Sequence, residues 1–337
     1  MDWFERITGF KEDGYDSTRA RLAVEGGELV SRFNGSRHGI GTLELASLQG
    51  LRDGTSRHLT AGARTTVRCL AGDIRALHSE PEFAGALFQV ASQFNLLEMV
   101  GPNITPEDGV TRYAHDRTQG PACAMAAGAA TIYRNYFASV GDGHGQTATR
   151  QIDVLAPLGE ALSQLLGRPM RSLWEMRNGY ALCTPDGLAD IGRLLRTASD
   201  TTLDHLRGQL AIGLHRDVEV TDVEPPNRPR VNQAFCSALP VAYTRIAPPV
   251  WEVFGRLVLE AAYEATLLAA RERHGEGGSS TVLLTRLGGG AFGNDDGWID
   301  SAIERALRIV EFDALDIWLV SSGSVRPDMR AIELRWG

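Results

Sequence analysis

The sequence predicts an α/β protein, a mixed or mostly parallel sheet covered by helices. Three observations lead there. From residue 66 onward, strand-like runs alternate with helical patterns, the order expected when helices cover a sheet. Ala86-Leu-Phe-Gln-Val-Ala is a nearly continuous apolar run, as in a strand buried on both faces. Val250, Phe254, Leu257, Val258, Ala261, Ala265 and Leu268 recur at helical spacing, marking one long amphipathic helix over 250–274.

Taken in order, residues 1–65 hold short alternating segments such as Arg21-Leu-Ala-Val and Thr42-Leu-Glu-Leu-Ala-Ser-Leu, read as a few strands of an N-terminal extension packed on the core. Thr66 to Ala71 reads as a strand ending at Gly72-Asp73-Ile74, and the 86–91 run as the next. A loop rich in Pro, Gly, Asp and Asn follows from Asn95 to Thr118; loops this long inside a compact domain are usually functional. Pro121 opens a helix through Phe137 that is apolar nearly all round and therefore buried. Residues 139–150 form a glycine-rich loop, expected to be mobile, before helical patterns at 153–166 and 185–207, the second capped by Thr184-Pro185. The last third reads as strands at 210–214, 218–221 and 231–238, the 250–274 helix, a strand at 281–285, a helix at 296–310 and a strand at 315–321. The expected organisation is a core of 66–137 and 210–337, interrupted by a helical insertion at 138–209 whose helices and glycine-rich hinge at 141–145 suit a cap over a ligand pocket or a partner contact.

Composition excludes several chemistries. The chain of 337 residues is 43% hydrophobic and 23% charged, a globular balance. Its net charge of −8 makes it a poor general nucleic-acid binder, since that affinity rests on basic side chains neutralising phosphates. Of the 34 Lys and Arg residues only Lys11 is a lysine, and it lies in neither a Schiff-base pocket nor a Gly-Lys-Ser/Thr loop. The four cysteines (Cys69, Cys123, Cys183, Cys236) have no zinc spacing and read as buried thiols. Neither Gly-x-Ser-x-Gly nor His-Glu-x-x-His occurs, and no cofactor or metal is expected. No apolar stretch reaches the ~18 residues of a membrane span, so no membrane partner and a cytoplasmic location are expected.

The most informative stretch is Leu283-Leu-Thr-Arg-Leu-Gly-Gly-Gly-Ala-Phe-Gly-Asn-Asp-Asp, where a buried strand runs into four glycines and then a helix. Glycine lets the main chain approach a ligand closely, and a helix start adds unpaired N–H groups; together they can cradle a diphosphate without lysine. The same pattern also suits a plain turn with Asn294 or Asp295 as helix cap. Asp295 and Asp296 would repel a diphosphate and read better as capping groups.

Gly72-Asp73-Ile74, then Val90-Ala-Ser-Gln-Phe-Asn95, then Tyr263 in a helix, then Leu284-Thr-Arg-Leu-Gly-Gly-Gly-Ala-Phe-Gly293 appear in the order found in macrodomains. The chain resembles that family over 66–137 and 210–325, and more distantly its poly(ADP-ribose) glycohydrolase-like branch. The resemblance implies a macrodomain-like three-layer α/β/α fold and an ADP-ribose or ADP-ribosyl ligand. It places Asp73 and Ile74 at the adenine and Asn95 at the distal ribose. It also places Gly289, Gly290, Ala291 and Gly293 at the diphosphate with Phe292 packing beside it, and counts Gly288 and Asn294 among the ligand-binding residues. Two places depart from the family. Leu96-Leu-Glu-Met-Val stands where hydrolytic macrodomains have a glycine run. Asp116-Arg-Thr-Gln119-Gly-Pro121 keeps the glutamine of Gln-Glu-Glu and lacks both glutamates.

Hydrolysis of an ADP-ribosyl bond passes through an oxocarbenium-like state and needs a carboxyl or amide to orient or deprotonate water. Asp116 is the first choice of base and Gln119 of water-positioning group, with Glu98, Glu107 and Asp108 in reserve. Three readings stay open at this point: an ADP-ribosyl glycohydrolase, a non-catalytic ADP-ribose reader, and an interaction protein whose glycine loop is only a turn.

Overall fold

The computed structural model describes residues 1–55 and 63–337; positions 56–62 of the 1–65 region lie outside them. The central feature is a seven-stranded mixed sheet. From one edge to the other its strands are Thr42–Ser47, Ala211–Glu219, Arg230–Cys236, Leu87–Ala91, Thr281–Leu284, Asp316–Ser321 and Thr66–Ala71. The first two pairings are antiparallel and the remaining four parallel. The α/β class and mixed sheet expected from the sequence are therefore the architecture of the chain.

Alternate side chains of the 230–236 strand point to two helical layers. Gln233 donates to the carbonyl of Cys123 on one face, while Cys236 meets Thr266 on the other. The helix Pro248–Gly275 covers that second face, with Asp296–Ile309, Leu48–Thr55, Pro185–Thr197 and Asp200–Gln209 packed around it. Both faces share one core, to which the 138–209 segment contributes Leu155, Leu158, Leu162, Leu173, Ile191 and Leu206.

Several expected elements take a different form. The single helix over 121–137 is two, Gln119–Ala126 and Gly128–Tyr136, broken at Ala127. The break has a tertiary cause: Gly128 N–H donates to Thr221 Oγ1, and the Thr221 N–H takes the Ala126 carbonyl. A side chain at Gly128 would also strike Ile7 and Trp3 of the N-terminal lobe. Strands expected at 210–214 and 218–221 are one strand, Ala211–Glu219, carrying a bulge between His215 and Val218. The 185–207 helix divides at Ala198–Ser199, where Ser199 caps a new start. The N-terminal region adds two short helices, Trp3–Thr8 and Tyr15–Ala20, and its 42–47 segment is an edge strand of the main sheet rather than part of a separate layer. The helix Pro327–Trp336, unforeseen in the sequence, covers the opposite edge, where Glu333 accepts from the Cys69 N–H. The 139–150 loop is tied down by buried Gln146, which donates to the carbonyls of Asn95 and Arg134.

Candidate functional site

A cleft of about 680 Å³, counted to its open mouth, lies beyond the carboxyl ends of the parallel 87–91 and 281–284 strands. Open α/β sheets characteristically bind ligands at such strand ends. Three segments meet there: the turn Ala91–Val100, the helix start around Asp116–Pro121, and the loop Thr285–Phe292.

The glycine loop forms one wall. Its entry is set by buried Tyr263, whose hydroxyl donates to the Thr285 carbonyl and accepts from Leu287 N–H. Its exit is set by Asn294, which donates to the carbonyls of Leu239 and Gly288. Gly288 and Gly293 adopt positive φ, and a Cβ at Gly288 would lie 2.4 Å from that of Ala238. Gly289, Gly293 and Asn294 donate backbone N–H bonds inside the loop. Among the described residues, the N–H groups of Gly288, Gly290, Ala291 and Phe292 have no acceptor, and all four residues line the cleft. Successive free N–H groups of this kind make an anion-binding concavity. Arg286 also lines it, but its guanidinium is held by Asp296 and Asp300. Asp295 caps the following helix through Gly297 N–H. Asp296, neutralised by Arg286 and Arg326, is held below the usual carboxylate range although burial opposes this.

Rings form the second wall. Phe292 of the loop packs against Tyr180 (5.3 Å between centroids) and Tyr243 (5.5 Å). Tyr180 belongs to the hairpin Trp174–Arg177/Tyr180–Cys183 of the insertion, and its hydroxyl donates to the Met99 carbonyl at 2.6 Å.

Carboxyl groups occupy the far end. Glu98 is 2% exposed, yet lines the cleft, and its Oε1 has no partner among the described residues. Burial pushes its carboxyl up to about 8; Arg134 pulls it down, and Asp116 adds to the rise. Arg134 lies fully buried behind this turn. It donates to the Leu96 carbonyl, Thr131 Oγ1 and His215 Nδ1, and its guanidinium lies 3.8 Å from the Phe235 ring centroid. His215, held far below its ordinary value by burial and by Arg134, is the neutral acceptor of that contact.

The other expected site residues are placed as follows. Asp116 lines the cleft half-buried, with Oδ1 accepting from Thr118 N–H. Gln119 lines it too, but its amide is committed to the 87–91 strand, accepting from Ala91 N–H and donating to the Gln89 carbonyl. It docks the helix on the strand, and both N–H groups of its amide are engaged, the second against Cys123 Sγ. Asn95 is buried away from the cleft lining; it accepts from Leu97 N–H and donates to Gln151 of the insertion. Asp73 is exposed and caps its own short helix, and Ile74 is buried in the core. One strand separates theirs from the 281–284 strand and two from the 87–91 strand, and neither residue lines the cleft. Glu107 accepts from Ala148 N–H and Asp108 closes a capping box with Thr105, both outside the cleft lining. Glu98 had one signal in the sequence, a single charge inside Leu-Leu-Glu-Met-Val; Tyr180 and Tyr243 had none. Among the described residues no group of His, Cys, Asp and Glu is arranged to hold a metal, and no helix is long and apolar enough to cross a membrane.

No family model matches the chain, and no curated protein matches it. Solved structures similar to it include poly(ADP-ribose) glycohydrolase from Deinococcus radiodurans in complex with ADP-ribose (12% identity, 87% of this chain, 94% of that chain, TM-score 0.45). The enzyme of the same name from Thermomonospora curvata is similar at 14% identity, over 88% of this chain and 86% of that one, with a TM-score of 0.46. Its complex with the inhibitor ADP-HPD stands at 13% identity, 87% and 84% coverage, and a TM-score of 0.44.

Proposed function

We propose that the cleft binds ADP-ribose or an ADP-ribosyl group and that the protein hydrolyses an ADP-ribosyl glycosidic bond. One observation carries this reading: the four residues of the 288–292 loop whose N–H groups are free, together with Glu98 and Asp116, line a single cleft, with the Phe292–Tyr180–Tyr243 wall beside them. Backbone donors suit a diphosphate whose charge needs no lysine, and carboxyl groups suit proton transfer at a glycosidic carbon. Phe292 supplies a flat apolar surface for the ribose. Asp116 and Gln119 belong to the same end, Asp116 at its rim and Gln119 as the clamp that holds the helix start on the strand. The 138–209 insertion enters this reading as part of the wall, through Tyr180, rather than as a detachable cap. Asp73, Ile74 and Asn95 are not needed by it.

Calorimetric titration with ADP-ribose, AMP and NAD tests the binding half. Gly290 has no atom within 4 Å of where a Cβ would stand, so Gly290→Glu keeps the fold and sets a carboxylate at the proposed diphosphate. Binding of ADP-ribose by the native protein, weakened at least about 100-fold in Gly290→Glu, is the expected outcome. Equal affinity in the variant would remove the loop from the site, and no binding by the native protein would end the proposal. Binding without turnover would leave the reader.

A further inference from the structure

Glu98 combines features that a merely structural carboxyl lacks. It is buried, its Oε1 is unpartnered among the described residues, and no hydrogen bond to its carboxyl is made by any of them, yet it borders the cleft. A buried polar group left without partners is costly to the fold, so its retention calls for a functional account. Its position against the opposite segment is equally specific. A Cβ on Gly120 would lie 2.4 Å from Glu98 Oε2 and 2.0 Å from the Ala91 carbonyl oxygen. The carboxyl thus occupies the space that a side chain at position 120 would fill, and only glycine admits it. The turn bearing it is closed by Gln93 N–H to the Leu97 carbonyl, Leu97 N–H to Asn95 Oδ1, and Glu98 N–H to the Tyr113 hydroxyl.

We propose that Glu98 is the catalytic acid of the cleft, reaching the leaving atom on the anomeric carbon through the gap that Gly120 leaves open. This rests on the hydrolytic reading above. In the first half of the reaction the bond from C1″ to the leaving oxygen or nitrogen breaks, and that atom takes the Glu98 proton. A water then adds to C1″ and gives its proton to the Glu98 carboxylate, which restores the acid; only water is consumed. Burial keeps the proton on Glu98 near neutral pH, the state an acid requires. The charged groups that bear on its titration are Arg134 on the 128–136 helix and Asp116 on the loop before the 119–126 helix; Tyr113 on that loop, Cys123 within the helix and Tyr180 on the hairpin also face it, and its charge pushes all three up. Asp116, already engaged with Thr118 N–H, acts through its effect on Glu98 and is a positioning residue.

The test compares native protein, Glu98→Gln and Asp116→Asn on two substrates, an O-ADP-ribosyl serine peptide and ADP-ribosyl 4-nitrophenol, whose leaving group needs no proton. For Glu98→Gln, kcat on the peptide should fall at least about 100-fold, with ADP-ribose affinity within about threefold of native. Its loss on the nitrophenyl substrate should be much smaller. The native peptide rate should decline above pH about 8, and this decline should vanish in the variant. Asp116→Asn should shift that descending limb to lower pH rather than abolish turnover. A Glu98→Gln protein with near-native peptide turnover, or with equal losses on both substrates, overturns the assignment and leaves the hydrolytic reading standing. A native protein that binds ADP-ribose and cleaves neither substrate overturns the hydrolytic reading, and the assignment with it.

Discussion

Gly120 shows how one residue position couples packing to chemistry. Its missing Cβ lets the 119–126 helix start lie against the Ala91 carbonyl while leaving room for Glu98. Gly120→Ala must displace a backbone oxygen, which is rigid, or the carboxyl; overpacking of this kind costs about 1–3 kcal/mol. The expected result is a lower urea midpoint together with turnover as poor as that of Glu98→Gln; a variant with native stability would show the contact is loose. Glu98 also leaves a signature in stability. Because its carboxyl is raised to about 8 from an ordinary 4.5, the folded chain holds a proton that the unfolded chain releases between those values. Its contribution to stability is full below pH 4.5 and is lost as pH rises to about 8, at no more than about 1.4 kcal/mol per pH unit. Glu98→Gln cannot ionise. Its stability relative to the native protein should therefore rise between pH 5 and pH 8, by urea denaturation at each pH; a constant difference would mean that Glu98 titrates as an ordinary carboxyl.

At the scale of elements, the local pattern set most helices and strands of the core, but neighbours set where they stop. Residues 119–136 form one mostly apolar run in which Gly128 is a weak local sign of a break; Thr221, nearly a hundred positions away, fixes it at Ala127. The insertion is a similar case. Its helices read correctly as helices, yet their apolar faces complete the core beneath the 248–275 helix instead of forming a cap of their own. Deleting 138–209 should consequently yield an insoluble or molten chain, recognised by dye binding and lost near-ultraviolet dichroism. A folded deletion protein that still binds ADP-ribose would make the segment a dispensable lid.

Across the whole molecule, the two sheet edges are closed by parts far apart in sequence. The 42–47 strand forms one edge, and the 327–336 helix covers the other. The N-terminal lobe has a core of its own, in which Trp3, Phe4, Ile7 and Phe10 pack against Leu97, Met99 and Tyr113. Glu12 in that lobe accepts from Val110 and Thr111 N–H and from the Tyr136 hydroxyl, so the lobe braces the loop leading to Asp116.

The sequence by itself determined the α/β class, most strands and helices of the sheet, and the glycine loop. Each of these depends on near neighbours: apolar periodicity decides which face is buried, and consecutive glycines decide what conformations a backbone can take. The chemistry at the other end of the cleft was decided only in the tertiary structure. Whether Glu98 or Asn95 faces a cavity depends on a turn closed by Tyr113, Gln151 and Gly179, which come from separate segments. Gln119, expected to position water, also holds the helix start on the strand, a contact hidden in the sequence because the strand it meets lies some thirty residues earlier in the chain. Side-chain direction at a turn is a long-range property, fixed by whichever partners satisfy its polar groups.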